Sequence, residues 1–136
     1  MSHVSLLAAD RPMPLQEAAG VRRRTVSMPS GEVTVTEDGF SVQEHVYYRF
    51  AVDNLGFEMK PYRYELDLRC TEEDVRCLKE YLEGSCEPGE QVELWNLWVG
   101  DGPDRPIHYT GLLADLDLNT LLQWEERQQT CMTIQR

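Results

Sequence analysis

The residues best equipped for chemistry in this 136-residue chain lie around His45. Glu44, His45, Tyr47 and Tyr48 follow one another closely, and Glu58, Tyr62 and Tyr64 come shortly after. A histidine that titrates near neutrality, beside a carboxylate and phenolic hydroxyls, is raw material for general acid–base catalysis. The same residue types also suit a half-buried sheet, where tyrosine packs its ring and reaches water with its hydroxyl. His108-Tyr109 is a second, smaller grouping of this kind. Glu44, His45, Tyr47, His108 and Tyr109 are therefore the candidate catalytic residues, with sheet packing as the competing explanation.

Metal chemistry finds less support. Asp115, Asp117 and Asn119, with Glu126 at the twelfth position, reproduce the ligand spacing of a calcium loop. The sixth position is Thr120, where the loop's sharp turn requires glycine, and four leucines crowd the segment. Acids and asparagine there are better explained as the start of a helix. Cys70, Cys77, Cys86 and Cys131 contain no Cys-x-x-Cys, and no histidine lies close to any of them. They read as four reduced, partly buried thiols, not zinc ligands or disulfides. Nucleophile elbows, phosphate loops, dinucleotide fingerprints and H-E-x-x-H are missing from the sequence. No metal and no cofactor are expected.

Charge narrows the partners. Thirteen basic against 24 acidic residues leave a net charge of −11. The distribution is uneven: residues 1–31 are net +2, through Arg11 and Arg22-Arg23-Arg24, and the remainder is net −13. Three arginines beside so acidic a body make a poor footprint for nucleic acid. No apolar run is long enough to span a membrane, and the first ten residues lack the basic start of a signal peptide. A cytoplasmic protein with no nucleic-acid or membrane partner is the expectation.

The elements that must position these residues can be read from periodicity. Residues 1–31 hold three prolines and two glycines and read as a loop-rich arm, with a short strand at Val4–Ala9. Residues 32–59 read as a β hairpin or strand–helix extension, with a turn at Glu37-Asp38-Gly39. Phe40–Val52 is ambiguous, and its Val, Tyr and Phe content tips it towards strand. Tyr62–Cys70 alternates without a fault, and Thr71 with Asp74 caps a helix carrying Val75, Leu78 and Leu82. Gln91–Val99 is apolar on both faces; Ile107–Leu113 and Thr130–Gln135 are further strands, around a helix bearing Leu121, Leu122 and Trp124.

From about residue 60 to 136 the order is β-α-β-β-α-β. This predicts an α+β domain with a ferredoxin-like core. The β-rich N-terminal extension would lie on the same sheet or over its open face, within one domain spanning 1–136. In that arrangement the strands at 62–70 and 130–135 are neighbours, which brings Cys70 near Cys131. Trp95, Leu97 and Val99 then need a cover, supplied by the chain's own N-terminal half or by a second copy. The three are the candidate interface. The fold class hosts many functions. The reading that follows is a small acidic binding or regulatory module that contacts itself or another protein. The alternatives are a small enzyme or ligand-binding protein using the Glu/His/Tyr cluster, and an acidic inhibitor that mimics nucleic acid.

Overall fold

The computed structural model describes residues 2–99, 105–126 and 129–136, with the side chains of residues 19–22, 24 and 38 outside the description. Residues 100–104, whose Gly-Asp-Gly-Pro-Asp run reads as a loop in the sequence, lie outside the described residues. The described elements are β1 (Ser2–Ala9), β2 (Gln16–Met28), β3 (Gly31–Glu44), α1 (Arg49–Asn54), β4 (Tyr62–Asp67), α2 (Glu72–Ser85) and β5 (Gln91–Val99). β6 (Ile107–Leu112), a 3-10 turn at Leu113–Asp115, α3 (Leu118–Glu126) and β7 (Thr130–Gln135) complete them.

Two strands organise the rest. β1 and β5 are the segments apolar on both faces, and such strands belong where both faces are covered. They pair antiparallel along the whole of β1, from Ser2 opposite Val99 to Ala9 opposite Val92. The other strands add outward in the order β2-β3-β4-β1-β5-β7-β6, giving one seven-stranded sheet. Every described pairing is antiparallel except β6 with β7, which is parallel. The fold is thus α+β, with a large, mostly antiparallel sheet and three α-helices among the described residues. None of these helices is long and apolar enough to cross a membrane.

One face of the sheet carries α2 and α3. Thr71 caps α2 by accepting from the Asp74 N–H at 3.2 Å, and Glu72, Glu73 and Asp74 fill its first turn. Val75, Leu78 and Leu82 then meet Leu7, Val42 and Leu94 of the sheet in the larger core. Asp117 starts α3 as anticipated, its carboxylate accepting from both the backbone N–H and the hydroxyl of Thr120 at 2.8 Å. The opposite face buries Val4, Leu6, Trp95, Leu97 and Cys131 under α1 and the segment that follows it.

Several expectations are corrected. The arm at 1–31 is mostly strand: β1 and β2 occupy residues 2–9 and 16–28. β3 runs straight through Glu37-Asp38-Gly39, and its turn to β2 falls at residues 29–30, just before Gly31, which takes a φ of +127°. Phe40–Val52 is neither one strand nor one helix, because β3 stops at Glu44 and α1 begins at Arg49. The element order of residues 60–136 is the one read from sequence, but the sheet order is not ferredoxin-like. β4 and β7 are separated by β1 and β5, about 14 Å apart at the sheet spacing, so the strands leading to Cys70 and carrying Cys131 are not neighbours. β1, apolar on both faces, takes the place beside β4, and β7 pairs with β5 instead of β4. Cys70 belongs to the α2 face and Cys131 to the opposite one. Neither is in a disulfide.

Candidate functional site

The segment between β3 and α1 is set by one carboxylate. β3 ends at Glu44, opposite Tyr64 of β4. Glu65, next along β4, accepts from the backbone N–H of Val46 at 3.1 Å and of Tyr47 at 2.7 Å. That grip turns the chain so that His45 points inward, at 5% exposure, while its successors face solvent. Tyr48 then adopts a left-handed conformation, φ 58° and ψ 18°, to start α1, and its carbonyl accepts from Val52 N–H at 2.9 Å. A non-glycine residue held there costs of order 1 kcal/mol or more. α1 faces Ala51, Val52 and Leu55 down onto the sheet. It leaves Phe50 pointing out.

The result is an apolar surface. Val46 is 66% exposed, Tyr47 72%, Tyr48 51%, Phe50 79% and the nearby Tyr62 43%. Beneath this patch a cleft of about 330 Å³ is lined by Glu44, His45, Arg49, Tyr62, Arg63 and Tyr64 among others. Arg63 pairs with Asp53 at the end of α1. Both ring nitrogens of His45 are buried without a hydrogen-bond partner. Burial therefore pushes its pKa below the ordinary histidine value, with the charge of Glu65 and the Tyr47 backbone opposing.

The sequence-derived candidates separate in space. Glu44 and His45 share the cleft, but Tyr47 does not line it. A buried imidazole with no accessible nitrogen is poorly placed to exchange protons with a substrate. His108 and Tyr109 sit on opposite faces of β6. Tyr109 packs against the larger core, whereas His108 is exposed, with its ring edge-on to Trp95 at 6.0 Å. His108 lines a second cleft of about 470 Å³ together with Asp10, Glu58, Lys60, Glu93 and Trp95. There the polar groups hold one another. Glu93 accepts from the Lys60 N–H at 2.9 Å and from the Trp95 indole at 3.2 Å, and the Lys60 ammonium pairs with Asp10 at 2.6 Å. Cys131, on the same face, is fully buried, and burial pushes its thiol up to about 12. That environment is inert, not activating. Among the described residues, no three His, Cys, Asp or Glu side chains group as a metal site.

Trp95, Leu97 and Val99, the candidate interface, are at most 4% exposed. Their cover is the chain itself: Ala51, Val52, Leu55, Phe57 and Met59, with Phe57 stacked on Trp95 at 5.9 Å. They present no surface to a second molecule in this conformation. Sequence reasoning missed the residues that are presented, Val46 and Phe50. A strand reading puts Val46, Tyr48 and Phe50 on the buried face with Phe40 and Val42. The signal for the alternative was the Asn54-Leu55-Gly56 stop, which marks the end of α1, where Gly56 takes a φ of +72°.

Compared with family models, curated proteins and solved structures, the chain matches none of them.

Proposed function

We propose that this protein is a binding module that docks another protein on the surface formed by Val46, Tyr47, Tyr48, Phe50 and Tyr62. The reading rests on one observation: five large apolar side chains stand 43–79% exposed, four of them within residues 46–50, with Tyr62 lining the same cleft as Val46. Soluble proteins rarely leave such patches without a use. Tyrosine and phenylalanine are enriched at protein interfaces, where a few aromatic anchors carry most of the binding energy. The rigid seating of the patch favours binding further, because Glu65 and the left-handed Tyr48 fix its backbone before any partner arrives. Four cysteines outside disulfides suit a reducing compartment such as the cytoplasm.

The rival enzyme reading is weaker, since Glu44, His45 and Tyr47 do not converge on a shared point and the imidazole is occluded. Selection of displayed peptides on the full chain tests the proposal. Peptides that bind the wild type should bind Phe50→Asp about 30-fold less tightly, the effect of losing a hot spot worth about 2 kcal/mol. Peptides that bind both proteins equally would refute it.

A further inference from the structure

β6 ends the sheet, and no described strand pairs with its outer edge. Which of its backbone groups are free follows from the register. Ile107 lies opposite Thr130, and its N–H donates to the Gln129 carbonyl at 2.8 Å. Successive residues of a strand direct their backbone groups to alternate sides. Ile107, Tyr109 and Gly111 therefore bond to β7, while His108, Thr110 and Leu112 direct their N–H and C=O groups away from the sheet. An edge of this kind is a template for another strand, and proteins usually blunt it with charge, proline or a bulge. Within Ile107–Leu112 β6 has none of these, Pro106 standing just before its start. Residues 106–114 contain no Asp, Glu, Lys or Arg, in a chain that is 27% charged and net −11. The other edge strand, β2, carries three consecutive arginines.

We propose that β6 is a homodimer interface, in which two copies pair antiparallel, edge to edge, into one continuous sheet. Charge argues for a second copy as the occupant. Two chains of net −11 repel over most of their surfaces, and this uncharged stretch is where they can approach. The register follows from two constraints. A two-fold axis normal to the sheet sets like-facing residues opposite each other, so the pairing must centre on a residue. Satisfying all three outward residues then selects Thr110, because a register centred on Tyr109 leaves Leu112 unpaired. With Thr110 opposite its own counterpart, His108 meets Leu112 of the second copy, and each such pair exchanges both of its bonds.

The side chains complement themselves in the same register. Tyr109 lies opposite Gly111, where an aromatic ring can cover a glycine's bare backbone. Leu112, 52% exposed in the single chain, comes to the edge of the His108–Trp95 pair.

Light scattering on the full chain at micromolar concentration should give twice the 15.7 kDa chain mass. Thr110→Pro removes an outward N–H but none of the bonds to β7, so it should keep its far-UV spectrum and return to a single chain mass. Thr110→Lys keeps every backbone group but sets two ammonium groups opposite each other, and should weaken the dimer about tenfold or more. Should Thr110→Pro fail to fold, Thr110→Lys decides alone. A wild-type monomer at that concentration overturns the proposal, as does a dimer that survives the folded substitutions. Phe50→Asp should remain dimeric, which keeps this test separate from that of the aromatic patch.

Discussion

Replacing His45 with leucine should make the protein more stable, a sign opposite to that of most buried substitutions. Both imidazole nitrogens are buried and unpartnered, so the folded state carries the desolvation penalty of a polar group without the compensating bond. Such a penalty is about 1–3 kcal/mol, and an apolar side chain of similar size removes it. The gain should depend on pH. Burial lowers the folded-state pKa of His45 below its ordinary 6.5, so below that value the unfolded chain binds the proton more readily than the folded one. Stability from this residue is flat above 6.5 and falls as pH drops from 6.5 towards the lowered folded value. Between about pH 7.5 and pH 5.5 the wild type should lose up to about 1.4 kcal/mol through this residue alone, and His45→Leu should not. Urea denaturation of both proteins at the two pH values gives the four free energies required. A destabilised His45→Leu at pH 7.5, or a gap between the proteins that narrows at pH 5.5, would refute the reasoning.

Further expectations concern the scaffold. Leu78 is fully buried at the centre of the α2 stripe, so Leu78→Ala should cost about 2–5 kcal/mol, whereas exposed Glu80→Ala should stay within about 0.5 kcal/mol, both read from urea melts. Asp117→Ala removes the cap of α3 and should lower stability at neutral pH, read from the same melts. Thr120 holds the Asp117 carboxyl below its ordinary 3.8, so the contribution is present above that value and lost as pH falls through the lowered one; calcium or EDTA should leave the melting temperature unmoved. In the native protein Cys131 should resist alkylation long after the denatured chain has been modified, as mass spectrometry of timed iodoacetamide reactions would show.

How much could be read from sequence depended on whether the decisive physics was local. Tyr62–Asp67 alternates and Thr71–Asp74 caps, so β4 and α2 declare themselves within a dozen residues. β1 was visible as an apolar run, but its place between β4 and β5 was not, because its partners lie 53 to 59 positions away in β4 and 83 to 97 away in β5. The β-α-β-β-α-β order therefore pointed to a ferredoxin-like sheet, whereas the strands run β4-β1-β5-β7-β6. The patch was half legible. Tyr47, Tyr48 and Tyr62 stood out by type, but the direction they face depends on Glu65 gripping the Val46 and Tyr47 backbone, a long-range contact with no sequence signature. The cover over Trp95 was inferred as necessary from a strand apolar on both faces. Its identity as α1 and Phe57 required the fold.

The most direct test of the interaction surface is photo-crosslinking in the cells that make the protein, with a benzoylphenylalanine at position 50. Position 122 serves as the control, since Leu122 is also exposed, at 45%, but lies on α3, away from the patch. Position 50 should give a discrete protein adduct that disappears when Tyr47→Asp is added, and position 122 should not give that adduct. No discrete adduct from position 50, or the same adduct from both positions, would contradict the account.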